Sequence, residues 1–244
     1  MIIRVLFIFL FFVSFSKAEK INIAVAANVS YAINNLIAQF NKSNPKVKVV
    51  VTLGSSGKLT AQIKNGAPYD LFMSANMDYP NSLYKDNIAI AKPIIYAKGS
   101  LALLSFKPRD FTKGLELLKD KTIEKIVIAN EKTAPYGKAA KELLQNANIY
   151  DALKKKFVYA ESISQAVAYT VTAADIGLIA KSSLYSSKMS MYKKDIHYSE
   201  VDSTLYTPIN QGVVILKKAK HNKEVEAFYS FLVSKKAQAI FKNY

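Results

Sequence analysis

Four short stretches of this sequence place hydroxyls or unpaired backbone amides where an apolar, helix-periodic segment begins. Ser30 precedes Ile33, Leu36, Ile37 and Phe40, and Ser55 and Ser56 precede a segment from Lys58 to Lys64. Pro135-Tyr136-Gly137 opens a third segment at Lys138, and Ser162 opens a fourth at Ile163. Taken singly, a serine in this position is an ordinary helix cap. Each helix start also carries about half a positive charge and several N–H groups without an intrahelical acceptor. Four such starts converging on one cleft would suit a small dianion held by neutral donors. Lys58 lies in the first turn of one of these helices, while the serines themselves have no adjoining cation.

Other chemistries find less support. A serine nucleophile needs a base within hydrogen-bond reach, yet the chain has two histidines, His197 and His221, both in polar segments. It also lacks a G-x-S-x-G elbow. Neither histidine has a carboxylate at metal-ligand spacing, and there is no cysteine to ligate a metal, form a disulfide or carry a lipid. Asp70 and Asp175 stand at strand starts beside turns, where they read as supports of the fold. The formal charge is +16. Its lysines are scattered and not interleaved with aromatic residues, which argues for solvated surface over a nucleic-acid platform. A cationic surface or adhesion protein is a rival class, and it predicts salt-sensitive binding to heparin or acidic lipid.

The elements that must position these donors follow from periodicity. Residues 1–18 read as a secretory signal peptide: Arg4, an apolar run from Val5 to Val13, and Ser16 and Ala18 before the cut. The 244 residues less those 18 leave 226, with a charge of +14 once Arg4 and Lys17 are removed. That length permits one large domain or two of about 100 residues each. Ile21–Ala27, Val47–Thr52, Tyr69–Ser74, Ile123–Ala129, Phe157–Tyr159 and Asp175–Ala180 read as strands alternating with helices. The predicted class is α/β with mostly parallel sheets. A fresh strand–helix series starts near Ile21 and again near Ile123, which implies two domains. Lys98-Gly99-Ser100 is a candidate crossing between them. The final strand and helices are assigned back to the first domain, giving domain I as 19–98 with 205–244 and domain II as 99–204.

AANVS, GSSGKLTAQIKNGAPYDLFMSA, APYG, ESISQAVA and ADIGLIA, in that order along the mature chain, resemble the periplasmic molybdate-binding proteins of ABC importers. The resemblance implies a type II periplasmic binding protein fold, two α/β domains with the ligand cleft between them. It implies molybdate or tungstate as ligand, no cofactor, no enzymatic turnover, an inner-membrane ABC permease as partner, and a monomer in the periplasm. Sulfate or another tetrahedral oxyanion is the alternative ligand. Carried over by motif, Ser30 and Ser56 would donate hydroxyl and amide, and Tyr136 and Ile163 would donate backbone N–H, with Ser55 shaping the turn. Ala180 stands where many members have a tyrosine hydroxyl, so that donor would be missing or replaced.

The neutral-donor reading sets an expectation for mutants. Ser30→Ala and Ser56→Ala should each weaken anion binding by about 1–3 kcal/mol, the scale of a charge-assisted hydrogen bond lost in a buried site. Lys58→Ala should change it much less; calorimetric titration of the three variants checks this.

Overall fold

Two five-stranded sheets, each flanked by helices, make up the chain in a computed structural model that describes residues 19–242. The signal-peptide reading lies outside the described residues. In the first sheet β1 (Glu19–Ala26) pairs in parallel with β2 (Val47–Gly54) and with β3 (Leu71–Met73). The chain then runs through β4 (Ile94–Gly99) directly into β5 (Leu101–Leu104), the first strand of the second sheet to form. There β6 (Ile126–Ala129) pairs in parallel with β7 (Phe157–Ala160) and β8 (Ile176–Ala180), and β9 (Tyr198–Glu200) lies at the far edge against β5. β10 (Ile209–Ile215) returns to the first sheet and inserts between β3 and β4.

The sheets are mixed, not mostly parallel. β10 is antiparallel to both β3 and β4, and β5 is antiparallel to both β8 and β9. β5 and β10, each the strand entered straight after a crossing, run opposite to the other four strands of their sheets, so their pairings are antiparallel.

Ser100 alone separates β4 from β5, at the crossing the sequence suggests. The return crossing lies between β9 and β10, and the two are tied together: the Leu101 N–H donates to the Tyr206 hydroxyl at 3.1 Å. Both aspartates noted in the sequence staple strand starts. The Asp70 carboxylate accepts from the Asn22 N–H at 2.7 Å, and that of Asp175 accepts from the N–H groups of Glu124 and Lys125 at 2.9 and 3.0 Å. Burial raises the Asp175 pKa, but those two N–H bonds and the Arg109 guanidinium outweigh it and hold the carboxyl below its ordinary value.

Helices cover the sheets where periodicity predicts them. α1 (Ile33–Asn41) buries Ile33, Leu36 and Phe40, the i, i+3, i+7 face. α2 (Ser56–Lys64) and α3 (Asp78–Lys85) follow in the first lobe, and α4 (Pro135–Asn146), α5 (Tyr150–Leu153) and α6 (Ile163–Thr172) in the second. α7 (Lys223–Leu232) and α8 (Lys235–Phe241) return to the first. Between β5 and β6 lies a 3-10 stretch, Phe111–Lys119, interrupted at Gly114 with φ 54°. No helix among the described residues is long and apolar enough to cross a membrane.

The first lobe's core joins α1 to α7 through aromatic rings. Phe40 meets Phe228 edge-on at 5.0 Å between centroids and lies 5.6 Å from Phe231. Phe40→Ala should therefore cost about 3–5 kcal/mol of stability, readable as a lowered urea midpoint with secondary structure retained.

Candidate functional site

Where the lobes meet, a small cavity is lined by Ala26, Ala27, Asn28, Gly54, Ser55, Ser56, Ala75, Ala134, Pro135, Tyr136 and Ile163. Its walls are the starts of four helical segments: the 3-10 turn Ala27–Val29 and α2 from the first lobe, α4 and α6 from the second. Each start follows a strand's carboxyl end, the usual ligand position in open α/β sheets. No charged side chain is part of this lining. The N–H groups of Ser56, Tyr136 and Ile163 lie in first turns, where the helix offers no acceptor, and no other backbone acceptor among the described residues takes them.

The serines divide by what their hydroxyls do. Ser55 is the N-cap residue of α2, yet its side chain makes no capping bond; its hydroxyl oxygen is buried and without a partner. Ser56 accepts from the Ala75 N–H at 2.9 Å, which leaves its own proton for another acceptor. Ser162 does what a cap does, accepting from the Gln165 N–H at 3.4 Å. Ser30 is not the N-cap expected from the sequence. The 3-10 turn sits between β1 and α1, α1 is preceded by Ala32, and the Ser30 N–H closes that turn on the Ala27 carbonyl at 3.1 Å. Its hydroxyl reaches across the lobes to Ser164 at 3.1 Å, and the Ser164 hydroxyl donates to the Ala27 carbonyl at 2.7 Å.

The structure thus brings Ser55, Ser56, Tyr136 and Ile163 to one cavity, and leaves Ser30 and Ala180 out of its lining. Ala180 ends β8, buried, paired across the sheet with Leu101. Two hydroxyls lie near that end: Ser183 donates to the Ala180 carbonyl at 2.6 Å, and Ser182 to the Asn28 carbonyl at 3.3 Å. Lys58 is engaged at 2.7 Å by Glu161 of the opposite lobe.

Asn28 was missed in the sequence. It lines the cavity, is buried, donates through Nδ2 to the Gln211 Oε1 at 2.9 Å, and leaves its Oδ1 without a partner. The Gln211 Nε2 in turn donates to the Tyr136 hydroxyl at 3.4 Å. The available signal was an amide side chain at the carboxyl end of a buried strand, two residues before the serine that drew attention. Burial, then the nearby Tyr206, push the Tyr136 phenol well above its ordinary pKa, an effect that Asn28 partly opposes.

Across residues 21–244 the chain matches the family described as bacterial extracellular solute-binding protein. The chain belongs to this family. Among individual solute-binding proteins, it is 34% identical over 231 residues to the molybdate-binding protein ModA of Azotobacter vinelandii, covering 94% of this chain and 90% of that one. It is 33% identical over 232 residues to ModA of Rhodobacter capsulatus, covering 94% and 88%. The solved periplasmic molybdate-binding protein of Azotobacter vinelandii superposes with a TM-score of 0.85 at 32% identity, covering 91% of this chain and 96% of that one.

Tyr136 is the one titratable group lining the cavity, and it is held neutral to higher pH than a free phenol. From the protein's side, affinity for a fully ionised anion should stay nearly flat from about pH 6 to about pH 9. Titrations at several pH values check this; a marked drop across that range would point to an ionising donor.

Proposed function

We propose that the protein captures molybdate between its lobes and delivers it to an ABC permease in the inner membrane. The observation that carries this reading is a cavity of helix N-termini with an unpartnered Ser55 hydroxyl and no charged lining, in a chain related along almost its whole length to molybdate-binding proteins. Neutral donors fixed in place suit a dianion that has shed its water, because amide and hydroxyl dipoles match its oxygens without a counter-charge that would bind other anions. Sulfate shares that charge and tetrahedral shape, so discrimination rests on cavity size. Tungstate, of the same shape and charge, is a second ligand on the same grounds. Nothing is turned over; capture, closure and release are the work.

The donors assigned to the ligand are the hydroxyls of Ser55 and Ser56 and the N–H groups of Ser56, Tyr136 and Ile163. Asn28 joins them. Side-chain amide nitrogen and oxygen are interchangeable in shape. With both amides turned, the Tyr136 hydroxyl donates to Gln211, Gln211 donates to Asn28, and the Asn28 NH2 stands where its oxygen has no partner. Ser30, whose hydroxyl is taken by Ser164, becomes a support of the closed form. Domain I as 19–98 with 205–244, domain II as 99–204, a cleaved signal peptide, a periplasmic location and a monomeric state complete the proposal.

Calorimetric titration with molybdate, tungstate and sulfate is the test. Molybdate and tungstate should bind tightly and sulfate at least about tenfold more weakly; the reverse order would refute the reading. Ser55→Ala should cost about 1–3 kcal/mol of binding, and Ser30→Ala less than Ser55→Ala. Equal losses would return Ser30 to the ligand.

A further inference from the structure

We propose that Gly57 sets how far the cleft can close. Its missing side chain lets the first turn of α2 seat directly on the backbone of the opposite lobe. The Gly57 N–H donates to the Thr133 carbonyl at 2.8 Å, a backbone bond between a helix of the first lobe and the loop before α4 in the second. A Cβ at residue 57 would lie 2.9 Å from both the Thr133 Cα and its carbonyl oxygen, and 2.7 Å from the Tyr79 hydroxyl. The tyrosine tip can swing aside. The Thr133 backbone cannot move without drawing back the loop that leads into Pro135 and Tyr136.

Nothing local calls for glycine here. Among the described residues Gly66 and Gly114 are the glycines with positive φ, so Gly57 has backbone angles open to any residue. It lies inside a helix, where alanine is the better former. Within its own lobe only the movable Tyr79 tip opposes alanine, and the fixed obstacle is the backbone of the other lobe. Three further contacts ring the same junction and join the same two lobes: Tyr79 to the Lys132 carbonyl at 3.3 Å, Lys58 to Glu161 at 2.7 Å, and Asp78 to Lys138 at 3.4 Å. Both ion pairs are solvent-exposed and hold little on their own. The backbone seat is the part with a hard steric limit. It adjoins Ser55 and Ser56, so a cleft stopped short at residue 57 separates their donors from those of Tyr136 and Ile163.

The inference rests on the reading of the protein as a closing anion binder, and the experiment separates the two. The chain has no cysteine. The exposed Lys85 and Lys155, one in each lobe, can therefore be replaced by cysteine and spin-labelled uniquely. The distance between labels is measured with and without molybdate in otherwise wild-type protein, Gly57→Ala and Gly57→Val, alongside affinity and the ligand-free melting midpoint. Gly57→Ala should melt no lower than wild type, bind molybdate at least about tenfold more weakly, and stay wider at saturation, with Gly57→Val wider still. Binding within about twofold of wild type at the wild-type closed distance would overturn the proposal and leave the function standing. A wild-type protein that ignores molybdate would overturn the function instead. The ligand-free distance distributions would then decide Gly57: a smaller closed population in Gly57→Ala supports it, and an equal one ends it.

Discussion

Backbone N–H groups that face one another across a narrow gap must find an acceptor, and the rest of this molecule is arranged around that need. The first turns of α2, α4 and α6 leave donors at one cavity whose lining holds no carboxylate. Their partial charges are of one sign, so without an acceptor the closed form is costly. The nearby cations Lys58 and Lys138 are paired with Glu161 and Asp78, so neither replaces the donors. Close approach is possible because the facing residues are small. Ala26, Ala27 and Ala75 of the first lobe pack within the hydrophobic cluster of the second.

Tyr136 links the site to the hinge. Its N–H lies in the first turn of α4, while its ring passes beneath the first crossing, where a side chain on Gly99 would collide with the phenol oxygen. The phenol also joins Gln211 on β10 and, through it, Asn28. One residue thus meets the cavity between the lobes, the crossing strand and the strand that returns from the second lobe. Its buried, neutral phenol serves as a hydrogen-bonding group without adding charge to the site.

The order of strands and helices was legible because each element carries its own period, and α2, α4 and α6 begin where the pattern places them. The three residues of β9 carry no such pattern, and no strand was expected there. Strand direction was likewise out of reach, since it depends on which sheet the chain re-enters after a crossing. Three of the four helix starts were located well enough to bring Ser55, Ser56, Tyr136 and Ile163 together. The first was misread because a 3-10 turn occupies the space between β1 and α1, a feature without apolar periodicity. Asn28 escaped because hydroxyls, and not side-chain amides, were sought at the end of β1. The contact between Gly57 and Thr133 joins residues 76 positions apart in sequence, in different lobes, and no local pattern encodes it.

The placement of β10 has a consequence for the order in which the chain can be completed. β4 has one neighbour in its sheet, and that neighbour is β10. β5 to β9, by contrast, form an unbroken run of sequence, so the second sheet has all its strands once Glu200 has been made. A chain emerging from its amino end therefore offers a finished second sheet before the first one can close. Until Ile215 appears, β3 and β4 each present an unpaired edge. The lobe that starts the sequence is the last to be sealed.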